Sequence, residues 1–137
     1  MVYVFDASFV GAAIIPDEKT PQFKKLYDKI NNEDDRYTPN LLWYEVASMF
    51  KNLSRRKRYT LEEVKNFFQL LSDLNLSTDF EHGSNYSKKI WELCNKYNLS
   101  PYDAAYLELA DRKKATLCTL DENLTSAAKT HGVKTIR

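Results

Sequence analysis

The sequence predicts an α/β fold, in which a central, mostly parallel sheet is covered by helices on both faces. Residues 2–5 and 115–120 are short runs of β-branched, aromatic and aliphatic residues, which are typical of buried strands. Segments with helical periodicity occupy most of the chain between and after these runs. Because the strands alternate with helices and no hairpin-type turns separate them, we expect the sheet to be parallel.

The composition is typical of one compact domain, which we expect to span residues 1–137. Of the 137 residues, 43% are hydrophobic, and the chain has only 3 Gly and 4 Pro. The formal net charge of +1 gives no global indication of nucleic-acid or membrane binding. The apolar opening segment is too short to span a membrane and follows no basic residues, so we expect a cytoplasmic protein without a membrane partner. We interpret Cys94 and Cys118, both in apolar surroundings, as buried reduced thiols.

The remaining elements follow from periodicity and from the residues at their ends. Helices are predicted over residues 21–32, 41–56, 61–74, 85–97, 101–114 and 122–130. Thr60 and Glu63 form a capping box, Ser100 is an N-cap followed by Pro101, and Gly132 ends the last helix. Further short strands are expected over residues 36–38, 76–80 and 133–136.

Two acidic residues occur on predicted apolar helix faces. Asp103 shares a face with Leu107 and Ala110, which lie one and two turns further along the helix. Glu45 follows the same pattern in its own helix, where it shares a face with Met49. A first-turn acid is often a helix cap, which is the alternative interpretation of Asp103. However, an inward carboxylate is costly unless it is hydrogen-bonded, paired with a cation or bound to a metal.

Two further acids, Asp6 and Asp121, directly follow the two predicted strands. In an open parallel sheet, the strand ends and the starts of the following helices lie at the same edge, so all four acids are expected to converge there. Four carboxylates in one crevice repel each other unless a cation lies between them. Oxygen ligands favour Mg²⁺ or Mn²⁺, and we assign no role to His82 or His131. Such a site suits the metal-assisted hydrolysis of phosphodiesters.

Four segments resemble the acidic motifs of the PIN-domain ribonucleases, and in length and order the chain most resembles the VapC toxins of bacterial toxin–antitoxin pairs. The segments are VFDASF, LLWYEVASMF, SPYDAAYLELA and TLDENL. The resemblance implies a PIN-like fold and a metal-dependent endoribonuclease, with Asp6 and Asp103 as direct metal ligands. It implies that the Mg²⁺ or Mn²⁺ site comprises Asp6, Glu45, Asp103 and Asp121. It further implies that the hydroxyls of Ser8 and Thr119 order water or phosphate.

The same resemblance implies three partners: a VapB-type antitoxin whose tail blocks the acidic crevice, an RNA substrate with tRNA as one candidate, and a second copy in a homodimer. The early helices contain more aromatic residues than a small core needs, and these either pack the core or form interfaces. The basic run over residues 55–58 is either a solvated helix end or a contact for RNA phosphates.

Two rival interpretations follow from the same acids. The first is another Mg²⁺-dependent phosphohydrolase, but a phosphatase of the haloacid dehalogenase type needs a second Asp where this chain has Ser8, and a receiver domain needs adjacent acids after the first strand. The second is a catalytically silent module that keeps the fold and binds RNA or a protein. The presence of all four acids argues against it, and an RNA cleavage assay separates the two functions.

Overall fold

The computed structural model describes residues 1–136 and contains a four-stranded, wholly parallel sheet with the strand order β3-β2-β1-β4. The strands are β1 (Val2–Phe5), β2 (Asp35–Pro39), β3 (Ser77–Asp79) and β4 (Thr116–Cys118). The α-helices of the described residues are α1 (Ala7–Ile14), α2 (Pro21–Tyr27), α3 (Leu41–Arg55), α4 (Leu61–Asp73), α5 (Ser84–Tyr97), α6 (Pro101–Lys113) and α7 (Glu122–His131).

Both faces of the sheet are covered, as predicted. Successive side chains of a strand point to opposite faces, and Tyr3, Val4 and Phe5 of β1 are all buried. The Phe5 ring meets Phe9 of α1 edge to face at a centroid distance of 4.9 Å, and α6 packs along β1 and β2. A parallel sheet with both faces buried is an α/β architecture, so the structure confirms the predicted fold class.

Most predicted elements are present, with ends displaced by a few residues. The capping box of α4 is formed, because the Glu63 N–H donates to the Thr60 hydroxyl at 3.2 Å and the Thr60 N–H donates to the Glu63 carboxylate at 3.0 Å. Gly132 ends α7 with a φ of 87°, in the left-handed region that glycine adopts without strain. The strand expected over residues 133–136 is reduced to one parallel bridge between Leu117 and Thr135.

Two differences from the prediction lie near the N-terminus. The sequence analysis missed α1 because its segment, ASFVGAAI, is apolar on nearly every face and lacks amphipathic periodicity. Helix α2 ends at Tyr27, five residues before the predicted end, and the following segment turns. There the Asn31 N–H donates to the Asp34 carboxylate at 3.0 Å, a local bond that competes with continuation of the helix.

The carboxyl ends of β1 and β4 lie side by side. The Asp6 N–H donates to the Cys118 carbonyl at 3.1 Å, so the residues that follow these two strands begin at the same edge of the sheet. Cys118 is buried, Cys94 is half-buried, and neither forms a disulfide. Among residues 1–136, none of the helices combines the length and the apolar character needed to cross a membrane.

Candidate acidic active site

Asp6 is the most deeply buried of the four predicted acids, at 4% exposure. It is the N-cap of α1, and its Oδ1 accepts hydrogen bonds from the Phe9 N–H at 2.9 Å and from the Ser8 hydroxyl at 2.7 Å. Its Oδ2 accepts a hydrogen bond from the Thr119 hydroxyl. The pKa of Asp6 is raised to about 6, mainly by burial and in part by the nearby charge of Asp103, while the hydrogen bonds from Thr119, Ser8 and Phe9 oppose the rise.

Ser8 and Thr119 are themselves fixed by backbone groups of the segment that links β4 to α7. The Leu120 N–H donates to the Ser8 hydroxyl at 3.0 Å, and the Asp121 N–H donates to the Thr119 hydroxyl at 3.0 Å. Because each hydroxyl accepts from a backbone N–H, its own proton is directed to Asp6. The two hydroxyls therefore orient the Asp6 carboxylate, a structural role that the sequence analysis did not anticipate. Their predicted role in ordering water or phosphate stays a prediction.

Glu45 lies in the second turn of α3 and is half-buried. Its Oε1 accepts a hydrogen bond of 2.6 Å from the hydroxyl of Tyr106, which is 1% exposed in α6. Burial raises the pKa of Glu45, the Tyr106 hydrogen bond opposes that rise, and the charge of Asp103 adds to it. Sequence reasoning missed Tyr106, although a tyrosine three residues after an inward acid, on the same helix face, was a signal for a polar contact there.

Asp103 interacts electrostatically with all three of the other acids. Burial raises its pKa, repulsion from Asp121 raises it further, and the Ser100 hydroxyl opposes the rise. Asp103 in turn raises the pKa values of Asp6 and Glu45. Asp103 is therefore within electrostatic range of each of the other three predicted acids, although no three of these carboxylates among residues 1–136 are close enough to share one cation. Their predicted assignment as metal ligands stays a prediction.

Helix capping, the alternative interpretation of Asp103, applies instead to Asp6 and Asp121. Ser100 supplies the cap of α6, because its hydroxyl accepts from the Asp103 N–H at 3.1 Å. The two acids that cap helices through their side chains are Asp6 in α1 and Asp121 in α7, where Asp121 accepts from the Leu124 N–H at 2.8 Å. Helix capping therefore explains part of the conformation of Asp6 and Asp121, but it does not explain why Asp103 and Glu45 are inward.

The chemistry of the site fits a hard divalent cation. Within residues 1–136, none of the four carboxylates has a Lys, Arg or His side chain within salt-bridge distance, so the negative charge is not neutralised by the protein there. The described residues also contain no three His, Cys, Asp or Glu side chains that are already close enough to hold a metal ion together. Mg²⁺ requires only one or two direct carboxylates because it keeps several waters, so a wider arrangement of acids suits it.

The basic run lies at the opposite end of α3 from Glu45. Arg55 lies ten positions after Glu45, which corresponds to about 15 Å along the helix axis. Arg58 forms a 2.9 Å ion pair with Asp17, and both side chains are largely exposed. Both observations favour the interpretation of the run as a solvated helix end.

The aromatic residues of the early helices divide into two groups. Phe23, Phe50 and Phe67 are buried, so core packing accounts for them. Tyr44 and Phe68 are 75% and 48% exposed, and for these two the expectation of an interface stands. Of the histidines, His82 is exposed, and His131 contacts Tyr97 and Asp111 rather than the four acids.

Comparisons with known proteins agree with this fold. The model of the PIN domain family matches residues 3–130. The ribonuclease VapC3 of Pyrobaculum aerophilum is 28% identical over 124 residues, which are 90% of this chain and 92% of that protein. A crystal structure from Pyrobaculum aerophilum is 19% identical and superposes with a TM-score of 0.70, covering 98% of this chain and 83% of that one. The VapBC2 complex of Rickettsia felis bound to a DNA fragment from its promoter is 13% identical, with a TM-score of 0.67 and coverage of 98% and 97%.

The chain belongs to the PIN-domain family, because the family model spans nearly all of its elements. Within that family, the expected similarity to VapC ribonucleases is confirmed by the match to VapC3. At 19% and 13% identity, the two solved structures support the fold alone.

Proposed function

We propose that this chain is a Mg²⁺- or Mn²⁺-dependent endoribonuclease and the toxin of a toxin–antitoxin pair. The observation that carries the proposal is the placement of three carboxylates, those of Asp6, Glu45 and Asp121, around Asp103. Three of these four acids have raised pKa values, and within the described residues none of the four has a cationic partner. The relative VapC3 is named a ribonuclease, and it is similar over 90% of this chain. Convergent, unneutralised carboxylates are the requirement for holding a hard cation beside a phosphate.

The residues have distinct parts in this proposal. Asp6 and Asp103 hold the cation directly, and Glu45 and Asp121 complete the acidic site. When bound, the cation supplies an activated water and shields the charge that develops on the phosphate. Ser8 and Thr119 keep both oxygens of Asp6 in a fixed orientation, and in this proposal their hydroxyls also order water or phosphate.

The proposal includes partners and a cellular location. A VapB-type antitoxin neutralises the enzyme by covering the acidic crevice; two of the proteins that share the fold were solved as a toxin–antitoxin complex and as a VapBC complex. The substrate is RNA, with tRNA as one candidate. The protein acts in the cytoplasm as a homodimer, and the exposed Tyr44 and Phe68 are candidates for its contacts.

An RNA cleavage assay tests the proposal against a catalytically silent binding module. The purified chain is expected to cleave single-stranded RNA with Mg²⁺ or Mn²⁺ and to stop when EDTA is added. Asp103→Asn is expected to reduce cleavage by at least about 100-fold, since the cation would lose a ligand. Asp111→Asn is the matched control, because Asp111 lies in the same helix and contacts His131 rather than the acids. Equal cleavage in excess EDTA would contradict the metal mechanism, and no cleavage under any condition would favour the silent module.

A further inference from the structure

Glu45 and Asp103 lie on two helices that have little packing in common. Helix α3 packs mainly against α1 and α4, whereas α6 packs mainly against α5 and the sheet, so the two helices share no extensive interface. The charges of Glu45 and Asp103 repel, which favours rotation of the flexible Glu45 side chain toward solvent. Something other than helix packing must therefore keep Glu45 beside the other acids.

The hydroxyl of Tyr106 provides that contact. It donates a hydrogen bond of 2.6 Å to Glu45 Oε1, and this bond joins residues that are 61 positions apart in the sequence. Tyr106 is only 1% exposed, so its ring is held firmly within the core and its hydroxyl has a fixed position. The same helix carries Asp103 one turn earlier, so α6 presents one of the acids and positions another.

The hydrogen bond leaves the other oxygen of Glu45 available. Among the described residues, Oε1 accepts from Tyr106, and no protein donor contacts Oε2. A carboxylate with one oxygen fixed and one free is suited to accept a cation or its water, as carboxylate ligands held by an outer hydrogen bond commonly do. Aromatic side chains with a buried ring make rigid donors for this purpose because they have few rotatable bonds.

We propose that Tyr106 is a positioning residue, which orients Glu45 through its hydroxyl and so sets the affinity of the acidic site for a divalent cation. The inference rests on the proposed function and extends it, since it assigns a role to a residue outside the four acids. Tyr106 does not contact the cation in this account. Its effect passes entirely through Glu45, and this dependence is what the experiment examines.

The test is Mn²⁺ binding to the purified chain, measured by isothermal titration calorimetry without RNA. Tyr106→Phe removes only the hydroxyl and keeps the buried ring, so the melting temperature in EDTA should stay near that of the wild type. The dissociation constant for Mn²⁺ is expected to rise by about 10-fold or more, as is typical when an outer hydrogen-bond partner of a ligand is removed. Tyr97→Phe is the matched control, because it removes a tyrosine hydroxyl that bonds His131 at 2.7 Å instead.

A second pair of variants asks whether Tyr106 acts through Glu45. In a Glu45→Ala chain, adding Tyr106→Phe is expected to change the Mn²⁺ dissociation constant by less than about 2-fold, because the group that Tyr106 orients is already absent. The inference is overturned if Tyr106→Phe alone leaves the constant within about 2-fold, if Tyr97→Phe weakens binding equally, or if the loss persists in the Glu45→Ala chain. A wild-type chain that binds no Mn²⁺ would overturn the proposed function as well, so the two failures are distinguishable.

Discussion

The buried charge of Asp6 makes the stability of the metal-free chain depend on pH in an unusual direction. In the folded protein the pKa of Asp6 is about 6, compared with 3.8 for an ordinary Asp. Between these two values the folded state retains a proton that the unfolded chain has released. Stability in EDTA should therefore fall as the pH rises through this range, and the loss should be complete above about pH 6.

The difference between the folded and the ordinary pKa of Asp6 sets the size of this loss of stability. Each pKa unit corresponds to about 1.4 kcal/mol, so the ionised Asp6 carboxylate destabilises the metal-free fold by about 3 kcal/mol at neutral pH. About 2 kcal/mol of this should be recovered at about pH 4.5. Glu45 and Asp103, whose pKa values are also raised, change stability in the same direction. Asp79 has a lowered pKa because of Arg112, and the stability it contributes is lost only below pH 3.8, outside this window.

Urea denaturation in EDTA at about pH 4.5 and about pH 7.5 measures the effect. The wild-type free energy of unfolding should be higher at the lower pH, and Asp6→Asn should reduce the difference by about half or more. Added Mn²⁺ should also reduce it, since a bound cation stabilises the ionised carboxylates at neutral pH. A wild-type stability in EDTA that is constant, or that rises, between these pH values would show that Asp6 is not destabilising when ionised.

Three further predictions concern residues away from the four acids. Arg36→Met should lower the free energy of unfolding by about 2–3 kcal/mol in urea titrations. The buried Arg36 guanidinium donates to the Leu74 carbonyl at 3.1 Å and to the Tyr27 hydroxyl at 3.3 Å, and both bonds would be lost. An unchanged urea midpoint would contradict this prediction. Arg112→Gln should cost about 2 kcal/mol in the same assay, since it leaves Asp79 and Glu108 without their cation, and a loss below about 0.5 kcal/mol would count against it. Replacing all three arginines of residues 55–58 with Gln should change RNA cleavage by less than about 2-fold with the same salt dependence, and a flatter salt dependence would instead assign the run to phosphate contact.

The elements that could be predicted from the sequence are those whose pattern is local. Helices α3 and α4 have apolar stripes at helical spacing, and the capping box of α4 marks its start. Helix α1 has no such stripe because it is buried on most sides, so its segment carried no periodic signal. The convergence of Asp6 and Asp121 was predictable because parallel strands bring their carboxyl ends to one edge.

The contacts that orient the acids were not predictable in the same way. The Tyr106 hydrogen bond to Glu45 depends on how the whole fold places α6 relative to α3, and no local pattern specifies that placement. The bonds from Ser8 and Thr119 to Asp6 depend on the position of the segment after β4 beside the start of α1. Sequence patterns therefore identified which acids converge, whereas the side chains that fix their orientation required the three-dimensional structure.

The stabilisation that Mn²⁺ confers without RNA tests whether Asp103 and its three acidic neighbours hold a divalent cation. The melting temperature of the wild type should be higher in Mn²⁺ than in EDTA. At a free Mn²⁺ concentration of 100 times the dissociation constant, the free energy of unfolding should rise by about 2.7 kcal/mol. Asp103→Asn should melt in EDTA at the wild-type temperature or above, because one repulsive charge is gone, and its shift with Mn²⁺ should be much smaller. An Asp103→Asn chain that melts lower in EDTA yet gains the full Mn²⁺ shift would contradict the account.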